Sequence, residues 1–466
     1  MYSISVETVC RIVGGQAQAI PDLQAAITGC VIDSREVQAG DLFFALPGSQ
    51  VHGLQFAETA IQQGAVCVVV EEVHAELSPV PSIVVPDVVD ALTALGRQNR
   101  LQSDALIVAV TGSVGKTTTR SMIAHVLAST HTGIQSPRNF NNHLGVPLSL
   151  LEIEPGDEFA AIEVGASGPG EVARLAHTTA PEFAVITRIA PAHLQQFESL
   201  QAVANEKLKL IESLSKDGVA FLNADDPLVA GMRRSTKARV VTFGRSAEAD
   251  VRVTDLQTDG RELQICVDGQ TYHVPVGGRH FETSIAAAVA VGLEVGLNPT
   301  AIAEGLSCYQ PVEGRCVESQ IGPWRVIDDS YNSSPASVTA AVELLEAQTD
   351  CRHRVLIFGD MLDLGEQASD LHFGVGARLA ASSIDHVLAI GEYSSDLAEG
   401  FLSSGGSINR LSLFSDWQTL YDIAEVLLSH NDAVLIKGSR GMRMERVLRH
   451  LSDLAAEPPA EIAIAA

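Results

Sequence analysis

The sequence predicts an α/β protein of three domains: a small mixed N-terminal domain, a central parallel-sheet domain with a phosphate loop, and a C-terminal Rossmann-like domain. Three observations lead there. Short apolar runs alternate with helical patterns over most of the chain, as strands wrapped by crossover helices require. A length of 466 residues exceeds what one core holds. The stretch Val110-Thr111-Gly112-Ser113-Val114-Gly115-Lys116-Thr117-Thr118 closes one apolar run and opens a helical pattern.

The first domain is expected over 1–97. It carries the apolar run 42–46, an amphipathic helical stretch over 54–63 and a strand over 66–70, with no phosphate loop. The second, 98–312, opens on the buried strand 105–110 and adds strands near 159–164, 183–186 and 240–243. Between 250 and 276 the pattern turns to alternation punctuated by Asp259-Gly260 and Asp268-Gly269, which predicts antiparallel hairpins. An alanine-rich helix over 284–295 stops near Gly296. The third domain, 313–466, has strands near 326–328, 355–358, 387–390 and 433–436, a second doubly wound sheet without a phosphate loop. The tail 457–466 reads as unpacked.

Composition narrows the function. Hydrophobic residues at 46% and charged residues at 19% are an ordinary globular balance. Apolar runs are strand length, far short of a membrane span. The first residues lack a basic segment followed by an apolar core, so no secretory signal is expected. Seven cysteines without metal-type spacing predict free thiols in a reducing compartment, hence a cytoplasmic protein, and a monomer is expected. A net charge of −26 argues against nucleic acid as a partner. Any anionic substrate must then meet local basic groups or metal ions.

The chemistry begins at the loop. Backbone N–H groups of Gly112, Ser113, Val114 and Gly115, at the positive end of a helix, suit phosphate oxygens. Lys116 reaches the terminal phosphates, Thr117 offers a hydroxyl to Mg²⁺, and Thr118 continues the turn. The longer form of this pattern has glycine where Val110 stands, so the strand before and the helix after carry the assignment to a nucleoside triphosphate. Glu163 ends an otherwise apolar strand at a sheet mouth, where a carboxylate suits a metal ion. His193 follows the next strand in the same topological manner. Lys207 lies on an amphipathic helix and, by itself, reads as solvated. Arg315, at the start of the third domain, offers a guanidinium for a phosphate. Asp328-Asp329-Ser330-Tyr331-Asn332 and Lys437-Gly438-Ser439-Arg440-Gly441 bring polar groups to the mouth of the third sheet. The latter is expected to run into a helix and to hold an anion there.

These pieces, with Asp33-Ser34-Arg35, Pro47-Gly48, Asn139-Phe140-Asn141-Asn142, Gly145-Val146-Pro147, Pro191-Ala192-His193-Leu194, Gly278-Arg279-His280, Gly359-Asp360-Met361, Leu364-Gly365-Glu366 and His372, closely resemble the Mur ligases of peptidoglycan synthesis over nearly the whole chain. Within that family the pattern implies the member that joins D-Ala-D-Ala to the terminal carboxylate of UDP-N-acetylmuramoyl-tripeptide, through an acyl phosphate made from ATP. The resemblance implies a UDP-sugar-binding first domain, a central ATP-binding domain and a C-terminal acceptor-binding domain. It puts ATP on residues 112–118, His280, Arg315 and Asp329, and Mg²⁺ on Thr117, Glu163, His193 and a carbamylated Lys207. Lys116, Lys207, His193 and Arg315 are the catalytic set. Substrate is assigned to Ser34, Arg35, Asn139, Asn142, Tyr331 and Asn332, and the dipeptide carboxylate to Lys437, Ser439 and Arg440. Phe281 and Ser284 stand where the family usually carries asparagine. The alternatives are another Mur-type amino-acid ligase, whose Asp-Asn-Pro-Arg motif is absent, folylpolyglutamate synthetase, and a non-catalytic nucleotide switch, which leaves Lys207 and Arg315 without a task.

Overall fold

A computed structural model describes residues 1–48, 51–78, 80–191 and 193–456. Ala192 of the histidine motif and the tail 457–466 lie outside the described residues. The first domain holds a five-stranded sheet in the order Gln16–Gln18, Ser82–Val85, Cys67–Glu71, Asp41–Phe44, Gly29–Val31, parallel except at Gln16–Gln18. Alternation splits Phe43 from Phe44. Phe44 packs towards helices Val6–Val13 and Val88–Gln102, and Phe43 towards Ala57 and Ala60. The stretch 54–63 is not one helix: a short 3₁₀ turn, Gly53–Phe56, precedes helix Ala57–Gln63.

Helix Val88–Gln102 runs through the boundary expected at 97 and packs on both neighbouring domains. Asn99 donates to Leu150 O at 2.8 Å and Ile153 O at 3.0 Å, and accepts from Tyr2 N–H at 3.0 Å. A Cβ on Gly96 would stand 2.8 Å from Pro147 O, so glycine permits the close approach of helix Gly145–Leu151. Arg100, buried, donates to Thr179 O and pairs with Glu182.

The central sheet has nine strands, ordered Gln270–Val274, Leu263–Val267, Val251–Thr258, Arg239–Gly244, Val219–Asn223, Phe183–Ile186, Leu106–Thr111, Phe159–Glu163, Gly133–Gln135. All pairings are parallel up to Val251–Thr258, beyond which the expected antiparallel hairpins follow. The phosphate-loop strand is apolar on both sides because helices cover both faces. Val108 and Val110 meet helices Lys116–Ala128 and Glu282–Val295, while Ile107 and Ala109 face Leu175 and Leu210. The third domain has six strands, ordered Val317–Ile321, Trp324–Asp329, Ala433–Lys437, Arg354–Gly359, His386–Ile390, Leu411–Phe414, parallel except for the opening hairpin.

One local expectation fails here. The segment after Lys437 does not enter a helix directly. It forms a 3₁₀ turn, Arg440–Met442, breaks at Arg443 with φ 54°, and becomes helical only at Glu445–Ala456.

Candidate active site

Strand Leu106–Thr111 delivers the loop to the middle of the sheet mouth. Gly112 has φ 151° and Gly115 φ 84°, and a Cβ on Gly112 would lie 2.0 Å from Thr187 Oγ1. The loop is braced from the next strand: Thr187 Oγ1 donates to Val114 O at 2.6 Å, and Ser113 N–H to Arg188 O at 2.7 Å. Helix Lys116–Ala128 has no side-chain cap, so its first N–H groups are free for an anion. Lys116 folds back on the loop, donating to Gly112 O at 3.0 Å and Ser113 O at 3.4 Å. Burial lowers its pKa, and Arg315 pushes the same way against Glu163.

Glu163 pairs in register with Val110, one strand over from the loop, and is 1% exposed. Its Oε1 accepts from Asn141 Nδ2 at 2.7 Å, while Oε2 is buried without a partner among the described residues. The orphaned carboxylate oxygen of Glu163 and the hydroxyl of Thr117, a residue 6% exposed, are oxygen donors of the kind that fits Mg²⁺. Lys207, 3% exposed on helix Leu200–Glu212, contradicts its solvated reading. Burial first, then Lys116, lowers its pKa to about 7 against the pull of Glu206, Glu171 and Glu163. Glu206 itself is occupied, accepting from Gly170 and Val172 N–H at 2.8 and 2.7 Å. His193 adopts φ 52°, and its Nδ1 is 3.6 Å from Asp363 Oδ2 of the third domain. Burial lowers its pKa, with Lys116 acting in the same sense.

The cleft is shared between two domains. Lys116, Thr117 and His193 line one cavity with Arg315, Asn332 and Asp363. It adjoins a larger space of about 450 Å³ bounded by Thr118, His280, Phe281, Arg315, Cys316 and Asp329. The Arg315 guanidinium carbon stands over the Tyr331 ring, 4.1 Å from its centroid, a cation–π contact that holds the group at the cleft. His280 Nδ1 is buried without a partner among the described residues, and burial drives the ring's pKa to about 4. Ser284 is turned inward, its hydroxyl 2.8 Å from that of Thr119.

Several expected substrate residues are already engaged within the protein. Lys437 is fully buried, paired with Asp329 and donating to Asn332 O at 3.0 Å. Strand pairing places Asp329 directly opposite Lys437, which accounts for the contact. Ser439 Oγ accepts from Leu362 N–H at 2.8 Å and is buried. Of the three residues expected at the dipeptide carboxylate, Arg440 alone is open, 5.8 Å from the Tyr331 ring centroid and 3.4 Å from Glu445. Asn142 caps the turn before helix Gly145–Leu151 through Leu144 and Gly145 N–H. Asn139 sits at the Tyr331 hydroxyl. Ser34 is buried, and Arg35 is exposed and paired with Asp33 at 2.5 Å.

Two neighbours of the site, Asp363 and Arg120, were not singled out from sequence, and Asn141 stood there only within a motif, with no role of its own. Asn141 orients Glu163, Asp363 faces His193, and Arg120 is buried with Nε unpartnered and its charge held by Glu163. Arg120 had a signal: it stands four residues after Lys116, one turn along the same helix. Asp363 had none, because only folding brings the third domain to His193.

Comparison with known proteins gives matches along the chain. The Mur ligase middle domain family matches residues 110–292, the Mur ligase glutamate ligase domain 314–440, and the Mur ligase catalytic domain 26–100. The chain is 32% identical to UDP-N-acetylmuramoyl-tripeptide--D-alanyl-D-alanine ligase of Escherichia coli and 30% identical to that of Bacillus subtilis, in each case over 97% of this chain and 99% of the relative. It is similar to the crystal structure of MurF from Acinetobacter baumannii, with TM-score 0.87 and 27% identity over 97% and 99% of the two chains. It is also similar to the MurF ligase of Thermotoga maritima in complex with ADP, with TM-score 0.78 and 26% identity over 92% and 97%.

Proposed function

The chain belongs to the Mur ligase family, and from that premise we propose that it joins D-Ala-D-Ala to UDP-N-acetylmuramoyl-tripeptide at the expense of ATP. The observation that carries this reading is the cavity where Lys116, Thr117 and His193 of one domain meet Arg315 of another. A nucleotide switch needs the loop but has no use for a second domain's guanidinium aimed at the same phosphates.

The reaction brings two anions together. An oxygen of the tripeptide's terminal carboxylate bonds to the γ-phosphorus as ADP leaves with the bridging oxygen. The dipeptide amine then bonds to the acyl carbon, inorganic phosphate departs, and the amine gives up a proton. Lys116, the loop N–H groups and Arg315 hold the γ-phosphoryl from two sides and offset the charge that gathers there. Thr117, Glu163, His193 and a carbamylated Lys207 are the residues that would hold Mg²⁺, which when bound would add positive charge to offset that of the reacting anions. Lys207 suits carbamylation because burial and the neighbouring Lys116 favour its neutral, nucleophilic amine, and Lys116 offers a cation to the carbamate that forms. The 450 Å³ space beside Thr118 and His280 suits the nucleoside. For the acceptor, the buried state of Lys437 and Ser439 leaves Arg440 as the group proposed to meet the dipeptide carboxylate.

Purified protein with ATP, UDP-tripeptide ending in diaminopimelate or lysine, and D-Ala-D-Ala tests the reading. Phosphate release should require both peptide substrates, and the product mass should be that of the pentapeptide. Release indifferent to the dipeptide would favour the switch, and a product carrying one added amino acid would favour another Mur ligase.

A further inference from the structure

Away from the cleft, the first domain gathers His52, Glu71 and His74. One ligand atom from each lies within 4.8 Å of the other two. Glu71 ends strand Cys67–Glu71, His74 lies three residues on in the turn that follows, and His52 caps the turn Gly53–Phe56. The two imidazole rings are 4.4 Å apart and tilted by 58°. His74 Nδ1 is 3.7 Å from Glu71 Oε2, too far for a hydrogen bond. His52 Nε2 and His74 Nδ1 are both shut off from water and have no hydrogen-bond partner among the described residues.

Buried nitrogen atoms without partners are costly, and here two converge on a carboxylate. We propose that His52 Nε2, His74 Nδ1 and Glu71 bind a Zn²⁺-class divalent cation, with a fourth position left to water. Two imidazoles and a carboxylate are a borderline-soft N/O set, which selects Zn²⁺ over Mg²⁺. Ligands about 2.1 Å from a tetrahedral ion lie about 3.4 Å from one another. The 3.7 Å approach of His74 to Glu71 therefore needs only a small contraction. The His74 and Glu71 side chains are 28% and 21% exposed, which leaves the ion a route in.

The proton balance adds a consequence. His52 Nδ1 accepts from Leu54 N–H at 3.1 Å, so the neutral ring carries its proton on Nε2. A cation on Nε2 moves that proton to Nδ1, the ring stays neutral, and Leu54 loses its acceptor. Metal binding is thereby tied to the turn Gly53–Phe56.

Equilibrium dialysis of the full chain against Zn²⁺, with Mg²⁺ in excess to fill the catalytic cleft, tests the site. Wild type should hold one more equivalent than His52→Ala or His74→Ala, and amide exchange at Leu54 should quicken when Zn²⁺ is added. Glu71→Gln keeps the side chain's size and should lose the same equivalent, which carries the test if a histidine variant fails to fold. Equal stoichiometry in wild type and variants would overturn the proposal.

Discussion

Charge placed in a site that water barely reaches makes the single residues of the cleft unequal to their surface counterparts. In the reaction proposed above Lys116 supplies a fixed cation to the γ-phosphate, so Lys116→Ala should bind UDP-tripeptide while turnover falls by about 10²–10³, the usual cost of one such contact. Near-normal turnover at saturating ATP would remove the loop's assignment. Lys207→Ala should be largely inactive, with partial recovery when small carboxylic acids refill the lost oxygen. Full activity without bicarbonate dependence would exclude carbamylation. His280 gives a pH signature. Burial holds its pKa near 4 in the folded protein, below the ordinary 6.5, so unfolding takes up a proton between those values. Keeping the ring neutral carries no proton-linked cost above pH 6.5 and progressively destabilises the fold as pH falls towards 4. His280→Gln should flatten the fall of the melting temperature in that window, and an unchanged slope would show that other groups govern it.

At the scale of elements, the phosphate loop depends on one absent atom. Gly112→Ala would drive a Cβ into Thr187 Oγ1, the group that braces Val114 O. ATP affinity should fall at least tenfold in titration calorimetry, although the alanine removes no ligand; an unchanged affinity would mean that the loop re-forms around it. That loop was legible in sequence because strand, glycines and helix are contiguous. So were the longer apolar strands of each sheet, because burial on both faces leaves an unbroken apolar run, whereas the short or edge strands Gln16–Gln18, Gly29–Val31, Ser82–Val85, Gly133–Gln135, Val317–Ile321 and Leu411–Phe414, and the buried Val219–Asn223, were not expected. The segment 437–440 was misread for the opposite reason. Its polar residues look solvent-facing in one dimension, and what buries Lys437 is Asp329, 108 positions away and opposite it in the sheet. Lys207 was legible only through family resemblance, because helical periodicity says nothing about which domain covers a face. The His52–Glu71–His74 cluster left no spacing that a motif search recognises.

The whole molecule carries a charge of −26 yet must gather ATP and a carboxylate substrate. It concentrates positive groups where two domains meet, and Lys116 and Arg315 oppose one another there. Without phosphates between them, that repulsion favours separation of the central and third domains about the connection near Gln310-Pro311. Small-angle scattering should record a smaller radius of gyration on adding an ATP analogue with UDP-tripeptide. No compaction would argue that the cleft is closed in the free protein.

Helix Val88–Gln102 has a different consequence, one of heat. Its Asn99 ties the chain's second residue to the end of helix Gly145–Leu151, and residues of the first domain's core reach Leu148 and Leu151. A first domain that lends its longest helix to its neighbour has no separate melting event of its own. Calorimetry should therefore give at most two endotherms from three domains. In hydrogen exchange on heating, amides of Cys67–Glu71 should lose protection together with those of Phe159–Glu163. A third endotherm, or early exchange confined to the first sheet, would mean that the shared helix frays before either core gives way.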